Sequence, residues 1–184
     1  PHAFFDNPID LVSPNPHLFD PYAGLVVGII TALVYIQRNN LSFWHMLDAL
    51  TPAFATVSIA LSLSNYASGN AFGSPTTLPW GINLWGTTRH PTQIYEALGA
   101  GIIFWLLWPG HTMGISKPGT LFLRFVAYTA TIRLFLEAFR GDSLVTIYNL
   151  RVVQITAWII LAISLWGWYS LIHGKGKTRE NPVK

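Results

Sequence analysis

The sequence has no cysteine and few charges. Among its 184 residues, 11 are Lys or Arg and 8 are Asp or Glu, so the charged fraction is 10% and the formal net charge is +3. The absence of cysteine excludes disulfides, thiolate nucleophiles and cysteine-ligated metals. The six histidines lack the close pairing of a metal motif, and no basic stripe indicates nucleic acid. We therefore expect no metal, no cofactor and no nucleic-acid partner.

Apolar residues make up 51% of the chain and fall into long runs separated by Gly, Pro and charge. Runs of this length and composition are typical of helices that cross a membrane. The pattern predicts an all-α integral membrane protein, a single membrane domain over residues 1–184, with about five transmembrane helices. The predicted spans are residues 23–37, 43–64, 93–108, 121–139 and 152–172.

The distribution of Lys and Arg predicts an orientation. Five spans place the two ends of the chain on opposite sides, and Arg38, Lys117 and the basic tail share one side. The positive-inside rule assigns that side to the cytoplasm. Residues 173–184 are then a cytoplasmic basic tail, and residues 1–21 are an extracytoplasmic or interfacial segment. The long connection between the second and third spans, rich in Gly and Pro, is an extracytoplasmic loop.

A polar motif opens the third predicted span, and it reads Arg89-His90-Pro91-Thr92-Gln93-Ile94-Tyr95-Glu96. Polar side chains at membrane depth are costly unless they face protein, water or a ligand. A cluster this dense at one helix entrance indicates a site. A helix cap with interfacial anchors is the alternative, and the motif alone leaves both open.

A second motif, Arg133, Glu137 and Arg140, is spaced by four and three residues, so on a helix its members share one face. Each charge at membrane depth costs about 2.5 to 3.5 kcal/mol. Glu137 can pair with either arginine, which leaves one positive charge for an anion such as a lipid phosphate. A structural ion network with Glu96 or Asp48 is the alternative.

These two motifs resemble those of the bacterial prolipoprotein diacylglyceryl transferase family, which moves the diacylglyceryl group of phosphatidylglycerol onto the lipobox cysteine of a prolipoprotein. The first is similar to the family's Arg-His-Pro-Ser-Gln-Leu-Tyr-Glu, and Gly141-Asp142 follows the second as in the family. The resemblance implies a bacterial cytoplasmic membrane protein. Its implied partners are an anionic phospholipid, a prolipoprotein signal peptide and, as a further option, other membrane subunits. Weaker similarities are Asp6-Asn7-Pro8, Asp48-Ala49-Leu50-Thr51-Pro52 and Gln154.

The resemblance also implies roles for individual residues. The catalytic set is His90 as the base that forms the cysteine thiolate, Arg133 on the phosphate, and Glu137 to orient the arginines. Arg140 joins Arg133 in binding the phosphate. The remaining residues predicted to bind lipid or phosphate are Arg89, Asn65, Gln93, Tyr95, Glu96 and Gln154.

Several family positions are occupied by other residues in this chain. Tyr22, Ser62 and Asn70 stand where the family has histidine, arginine and glutamate, and Thr129 stands where tyrosine is usual. Two hypotheses follow. The first is a divergent transferase that binds an anionic phospholipid such as phosphatidylglycerol. The second is a catalytically inactive relative that serves as a structural subunit of a larger membrane complex. A transporter is a weaker alternative, because inverted repeats are not evident.

Overall fold

The computed structural model describes residues 21–108, 117–143 and 151–173. The chain divides into two compact units, Pro1–Phe43 and Trp44–Lys184. The predicted extracytoplasmic segment, up to residue 20, and the tail from residue 174 onward lie outside the described residues, as does the side chain of Tyr22.

The first unit contains helix α1, Pro21–Arg38, which is apolar along most of its length. Asn39 and Asn40 end it. The Asn39 side-chain amide donates a hydrogen bond of 2.9 Å to the Tyr35 carbonyl, and Asn40 adopts a φ of 51°. Asparagine tolerates this left-handed conformation, which terminates helices. The polar stop predicted after the first apolar run is therefore a helix C-terminus.

The second unit holds four helices and a β-hairpin. Helix α4 packs against both α3 and α5, and a small apolar core joins α2, α3 and α4. The elements in chain order are α2 Phe43–Ser68, β1 Ile82–Leu84, β2 Thr87–Arg89, α3 Thr92–Leu106, α4 Thr120–Glu137 and α5 Val152–His173.

Helices α2 and α5 are long and apolar enough to cross a membrane. Only 17% and 11% of their most apolar windows are buried. A core helix of a water-soluble protein would bury these windows, so the exposed apolar surface fits a lipid environment. The described chain is mostly helical, as predicted. The count of five spans and the extracytoplasmic position of the long connection stay predictions.

The predicted all-α fold omits a two-stranded antiparallel hairpin in the connection before α3. Ile82 pairs with Arg89 and Leu84 with Thr87. The two turn residues, Trp85 and Gly86, have φ values of 56° and 74°. Glycine adopts this conformation freely, whereas a tryptophan costs about 1 kcal/mol there. The usual Asn-Gly or Asp-Gly signal is missing, which is why the sequence did not reveal the hairpin.

Asp48 on α2 caps the N-terminus of α4. Its carboxylate accepts hydrogen bonds from the backbone N–H groups of Gly119, at 2.6 Å, and Phe122, at 2.9 Å. The ammonium of Lys117 donates to the carbonyls of Leu171 and Ile172 near the C-terminus of α5, at 2.6 and 2.9 Å. Both charges have the sign that the adjacent helix dipole favours. These contacts join the ends of three helices.

We expect Asp48→Ala to lower the free energy of unfolding by about 1 to 2 kcal/mol, because two helix N–H groups lose their acceptor. Unfolding in detergent micelles, followed by circular dichroism, measures this. Lys117→Met is the matched control, and its more exposed contacts should be worth less than about 1 kcal/mol. An Asp48→Ala variant as stable as the parent chain would contradict the capping role.

Candidate functional site

A cavity of about 710 Å³ lies between α4 and α5. It is apolar along most of its length, and its charged groups collect at the C-terminal end of α4. The apolar wall is formed by Phe125, Val126 and Ala130 of α4 with Val153, Ala157 and Ile160 of α5. The charged end is formed by Arg133, Glu137, Arg140 and Asp142. This is an amphipathic cavity with one polar end.

Glu96 of α3 connects the two arginines. Its Oε1 atom accepts hydrogen bonds from Arg133 Nη1 at 3.1 Å and from Arg140 Nη1 at 2.9 Å. Arg140 also contacts both carboxylate oxygens of Asp142 at 3.0 Å. Glu96 and Arg140 are largely buried, with side-chain exposures of 10% and 14%. The two sequence motifs therefore meet in space through Glu96.

The guanidinium groups of Arg133 and Arg140 differ in how many of their hydrogen-bond donors are already used. Arg140 uses Nε, Nη1 and Nη2 for carboxylates. Burial on its own lowers the Arg140 pKa, but the hydrogen bond and charge of Asp142, with the charges of Glu96 and Glu137, raise the pKa above its ordinary value. Arg133 is 46% exposed and, among the described residues, forms one ion pair. Arg133 therefore keeps donors available for an anion.

The Glu137 carboxylate does not make the contacts that the sequence predicts. It is fully buried, and neither carboxylate oxygen has a hydrogen-bond partner among the described residues. Among the described residues, Glu96 and not Glu137 forms the ion pairs with Arg133 and Arg140. Glu137 acts on Arg140 through its charge. Glu96, one of the two acidic residues considered as partners for the arginines, forms ion pairs with both. Asp48, the other, serves as a helix cap.

A second cavity of about 210 Å³ adjoins the first between α2, α3 and α4. The two share Asn65, Phe125, Thr129 and Arg133 in their walls. Asn65 and Arg133, both predicted to bind lipid or phosphate, therefore lie at the junction of the two cavities. Ser62, which stands at the family's arginine position, also lines the smaller cavity and donates to the Ser58 carbonyl at 3.0 Å.

His90 and Tyr95 line a separate apolar groove of about 890 Å³ between α3 and α4. The imidazole packs edge-on against Phe139, with ring centroids 5.3 Å apart, and against Tyr95 at 6.3 Å. The Tyr95 hydroxyl accepts a 2.9 Å hydrogen bond from the Trp80 indole. The structure thus places the predicted base beside this groove, and His90 does not line the charged cavity.

Arg89 and Gln93 bind the loop between α2 and the hairpin. Arg89 donates to the carbonyls of Leu84, at 3.3 Å, and Gly73, at 3.4 Å, and its guanidinium lies 4.8 Å from the centroid of the Phe72 ring. Gln93, which is fully buried, donates to the Asn70 carbonyl at 2.7 Å. Both predicted phosphate ligands therefore contact backbone here.

Gln154, the remaining predicted ligand, is half-buried on α5 and is absent from the described walls of both charged cavities. The first motif consequently contributes Glu96 to the site, while its preceding residues support the loop.

Sequence reasoning missed how this loop joins the end of α4. The Ser74 N–H donates to the Phe139 carbonyl at 2.7 Å, and the Gly141 N–H donates to the Phe72 carbonyl at 3.0 Å. Arg151 donates to the carbonyls of Glu137 and Arg140. Backbone pairing of this kind leaves no side-chain signal. Together with the Arg151 side chain, these two backbone bonds hold the chain on both sides of Arg140.

Comparison with known proteins agrees with the two motifs. The family model for prolipoprotein diacylglyceryl transferase matches residues 4–170. The phosphatidylglycerol–prolipoprotein diacylglyceryl transferase of Finegoldia magna is 35% identical over 140 residues, which cover 76% of this chain and 56% of that protein. The protein of the same name from Thermosynechococcus vestitus is 31% identical over 163 residues, covering 83% and 60%. The chain thus spans less than two thirds of the length of these relatives. It belongs to the prolipoprotein diacylglyceryl transferase family.

Proposed function

We propose that the chain binds an anionic phospholipid such as phosphatidylglycerol and transfers its diacylglyceryl group to a prolipoprotein cysteine in the bacterial cytoplasmic membrane. The names of its relatives give the reaction, and one observation in this chain carries the proposal. Arg133, a cation with open donors, lies at the polar end of an otherwise apolar cavity. That arrangement matches an amphipathic anion.

The size and polarity of the cavity suit part of a phospholipid. A volume of about 710 Å³ is within the range of ligand pockets, roughly 300 to 1,000 Å³. The phosphate binds at Arg133, whose planar guanidinium can donate two parallel hydrogen bonds. The acyl chains follow the apolar wall between α4 and α5. Arg140, whose three guanidinium nitrogens all contact Glu96 or Asp142, supplies positive charge and fixes Glu96.

The reaction forms a carbon–sulfur bond and breaks a carbon–oxygen bond. The cysteine thiolate attacks the glyceryl carbon, and the phosphate oxygen takes the electrons of the carbon–oxygen bond that breaks. Glycerol phosphate leaves, and the diacylglyceryl group stays on the cysteine sulfur. Negative charge grows on the leaving phosphate. Arg133 is placed to stabilise that charge, which is the kind of contribution that lowers a barrier most.

The exposed apolar surfaces of α2 and α5 support the membrane setting. We propose five spans and a cytoplasmic C-terminus on the charge distribution of the sequence. The long connection and the charged end of the cavity then lie on the extracytoplasmic side, where a phospholipid headgroup and a lipobox cysteine meet.

Transfer of diacylglyceryl from phosphatidylglycerol to a lipobox peptide by the purified protein tests the proposal. We expect Arg133→Ala to lower kcat/KM by roughly 10²-fold or more, since a preorganised cation is lost. Lys117→Met is the matched control, because it removes a cation just before the start of the same helix. Equal losses in both variants, or lipid binding without any transfer, would contradict the proposed reaction.

The position of His90 leads to a separate expectation. If His90 is the base, its removal should cost roughly 10² to 10⁴-fold in rate. Because its ring packs against Tyr95 and Phe139 beside the apolar groove, we expect His90→Asn to cost less than tenfold. The same transfer assay measures this over a pH series. A loss above 10²-fold, with unchanged thermal stability, would restore His90 to the role predicted from the sequence.

A further inference from the structure

Three polar side chains near the N-terminal end of α4 have buried atoms without a hydrogen-bond partner among the described residues. These atoms are Thr120 Oγ1, Arg124 Nε and Trp168 Nε1. Thr120 and Arg124 are four residues apart and share one face of α4, and the Arg124 guanidinium lies 4.9 Å from the centroid of the Trp168 ring on α5. Buried polar groups in native proteins are nearly always paired. Their gathering at one place indicates a missing partner.

The chemistry of the three groups defines that partner. Guanidinium and indole N–H groups only donate hydrogen bonds, and a threonine hydroxyl can donate or accept, so the partner must be an acceptor. Arg124 takes part in none of the ion pairs among the described residues. The carboxylate nearest the start of α4, that of Asp48, already accepts from two backbone N–H groups of that segment. The missing acceptor is therefore an anion that offers several oxygens.

The surroundings of Arg124 are those of a membrane–water interface. Trp44 of α2 lies against Gly119 at the start of α4, and Trp166 and Tyr169 of α5 are exposed at the same end. Tryptophan and tyrosine concentrate at the level of lipid headgroups. Arg124 is four residues inside α4, about 6 Å along its axis, and the headgroup region is roughly 5 to 7 Å thick on each side of a bilayer. A lipid phosphate lies at this depth.

We propose that Thr120, Arg124 and Trp168 bind the phosphate of an anionic phospholipid in the leaflet at the N-terminal end of α4. With the proposed orientation this is the cytoplasmic leaflet, whose surface carries anionic lipid. Arg124 and Arg133 are nine residues apart, about 13 Å along the helix, and Arg124 is absent from the described walls of both charged cavities. The lipid is therefore a second one, distinct from the lipid proposed to react, and it joins α4 to α5.

An Arg133→Ala chain isolates this site, because it lacks the arginine proposed to bind the reacting lipid. Titration calorimetry of that purified full chain in nonionic detergent measures the affinity for dioctanoyl phosphatidylglycerol, dioctanoyl phosphatidylcholine and inorganic phosphate. We expect phosphatidylglycerol to bind roughly tenfold more tightly than phosphatidylcholine, whose ammonium adds a second cation beside the guanidinium. Inorganic phosphate should bind more than roughly tenfold more weakly than phosphatidylglycerol, since it has no acyl chains to bury.

Variants in the Arg133→Ala chain assign the individual donors. Adding Arg124→Ala should lower phosphatidylglycerol affinity roughly tenfold or more, the effect of losing a hydrogen bond between charged groups. Trp168→Phe keeps an aromatic ring beneath the guanidinium and removes the indole N–H, so the loss should be roughly threefold. Trp166→Phe is the matched control, because Trp166 is an exposed tryptophan of the same helix, and it should leave the affinity unchanged.

Thermal unfolding of the same variants separates loss of the site from loss of the fold. Without lipid, Arg124→Ala should not lower the Tm, since it removes a charge that has no counter-ion among the described residues. Added phosphatidylglycerol should raise the Tm of the Arg133→Ala chain and should raise that of the double variant less, because a ligand stabilises the fold in proportion to its binding.

Several results would overturn the proposal. They are equal affinities for phosphatidylglycerol and phosphatidylcholine, inorganic phosphate that binds as tightly as the lipid, and an Arg124→Ala chain that binds phosphatidylglycerol unchanged. A carboxylate of the chain is the rival acceptor, and Glu180 is the one acidic residue that follows α5 in the sequence. A Glu180→Gln chain that binds phosphatidylglycerol tenfold more tightly would assign the donors to Glu180. The transfer assay reports on the proposed function separately, because it depends on Arg133.

Discussion

Gly73→Ala should lower the free energy of unfolding by about 3 kcal/mol and displace the charged end of α4. A Cβ at Gly73 would overlap the carbonyl oxygen of His90 and would lie 2.6 Å from the Cβ of His90. The closer of these atoms belongs to the backbone, so a rotamer change cannot relieve the contact. Overpacking at such a site typically costs about 1 to 3 kcal/mol, and more where backbone must move.

The consequence extends to Arg140 because the Gly73 loop pairs with the chain on both sides of it. Ser74 bonds to Phe139 and Gly141 to Phe72, so a shift of the loop moves the turn that carries Arg140. We therefore expect weaker phosphatidylglycerol binding in addition to lower stability. Unfolding in detergent and lipid titration measure the two effects separately.

Gly101→Ala is the matched control for this glycine. Gly101 lies within α3, and a Cβ there would meet nothing within 4 Å. Alanine in a helix interior is favoured over glycine by about 0.5 to 1 kcal/mol, so this variant should be slightly more stable than the parent chain. A Gly73→Ala variant as stable as Gly101→Ala would contradict the prediction that the close approach to His90 excludes a side chain at Gly73.

Part of the site could be predicted because it depends on local periodicity. Arg133 and Glu137 are four residues apart on one helix, so their sharing a cavity follows from the helical repeat alone. Arg140 lies three residues further along the chain, just after the end of α4, and lines the same cavity. The amphipathic cavity is therefore a direct consequence of one segment of sequence placed against an apolar α5.

Other parts depend on tertiary contacts that carry no local pattern. Glu96 is 37 and 44 residues from the arginines that it binds, and Glu137 is much closer to both along the chain. Spacing therefore favoured Glu137 as the partner, although the packing of α3 on α4 brings Glu96 to them. His90 precedes α3, and its backbone N–H donates to the Ser74 carbonyl. Which cavity the imidazole lines therefore depends on this backbone pairing. Residue types alone do not encode that pairing.

Glu96→Ala should lower the free energy of unfolding by about 3 kcal/mol. Arg140 and Glu96 are 14% and 10% exposed, and removing one partner of a buried pair leaves the other charge uncompensated. Asp142 continues to pair with Arg140, which keeps the cost at the low end of the usual range. The pair with Arg133, whose side chain is 46% exposed, adds less than about 1 kcal/mol.

The same substitution should affect lipid binding and turnover in opposite directions. Without Glu96, both arginines lose a competing carboxylate and gain free donors, so affinity for an anionic phospholipid should stay equal or rise. Arg133 also loses the contact that positions it, and misplacement of about 1 Å can lower turnover roughly 10²-fold. Lipid titration and the transfer assay would separate these effects, with kcat falling and KM unchanged or lower.

Asp142→Ala provides the comparison for Glu96. Asp142 makes two hydrogen bonds to Arg140 but none to Arg133 among the described residues, and its side chain is 28% exposed. Its removal should therefore cost less stability and leave the position of Arg133 intact. A kcat loss in Asp142→Ala equal to that in Glu96→Ala would assign positioning to Arg140. A loss confined to Glu96→Ala would establish Glu96 as the residue that positions Arg133 on the phosphate.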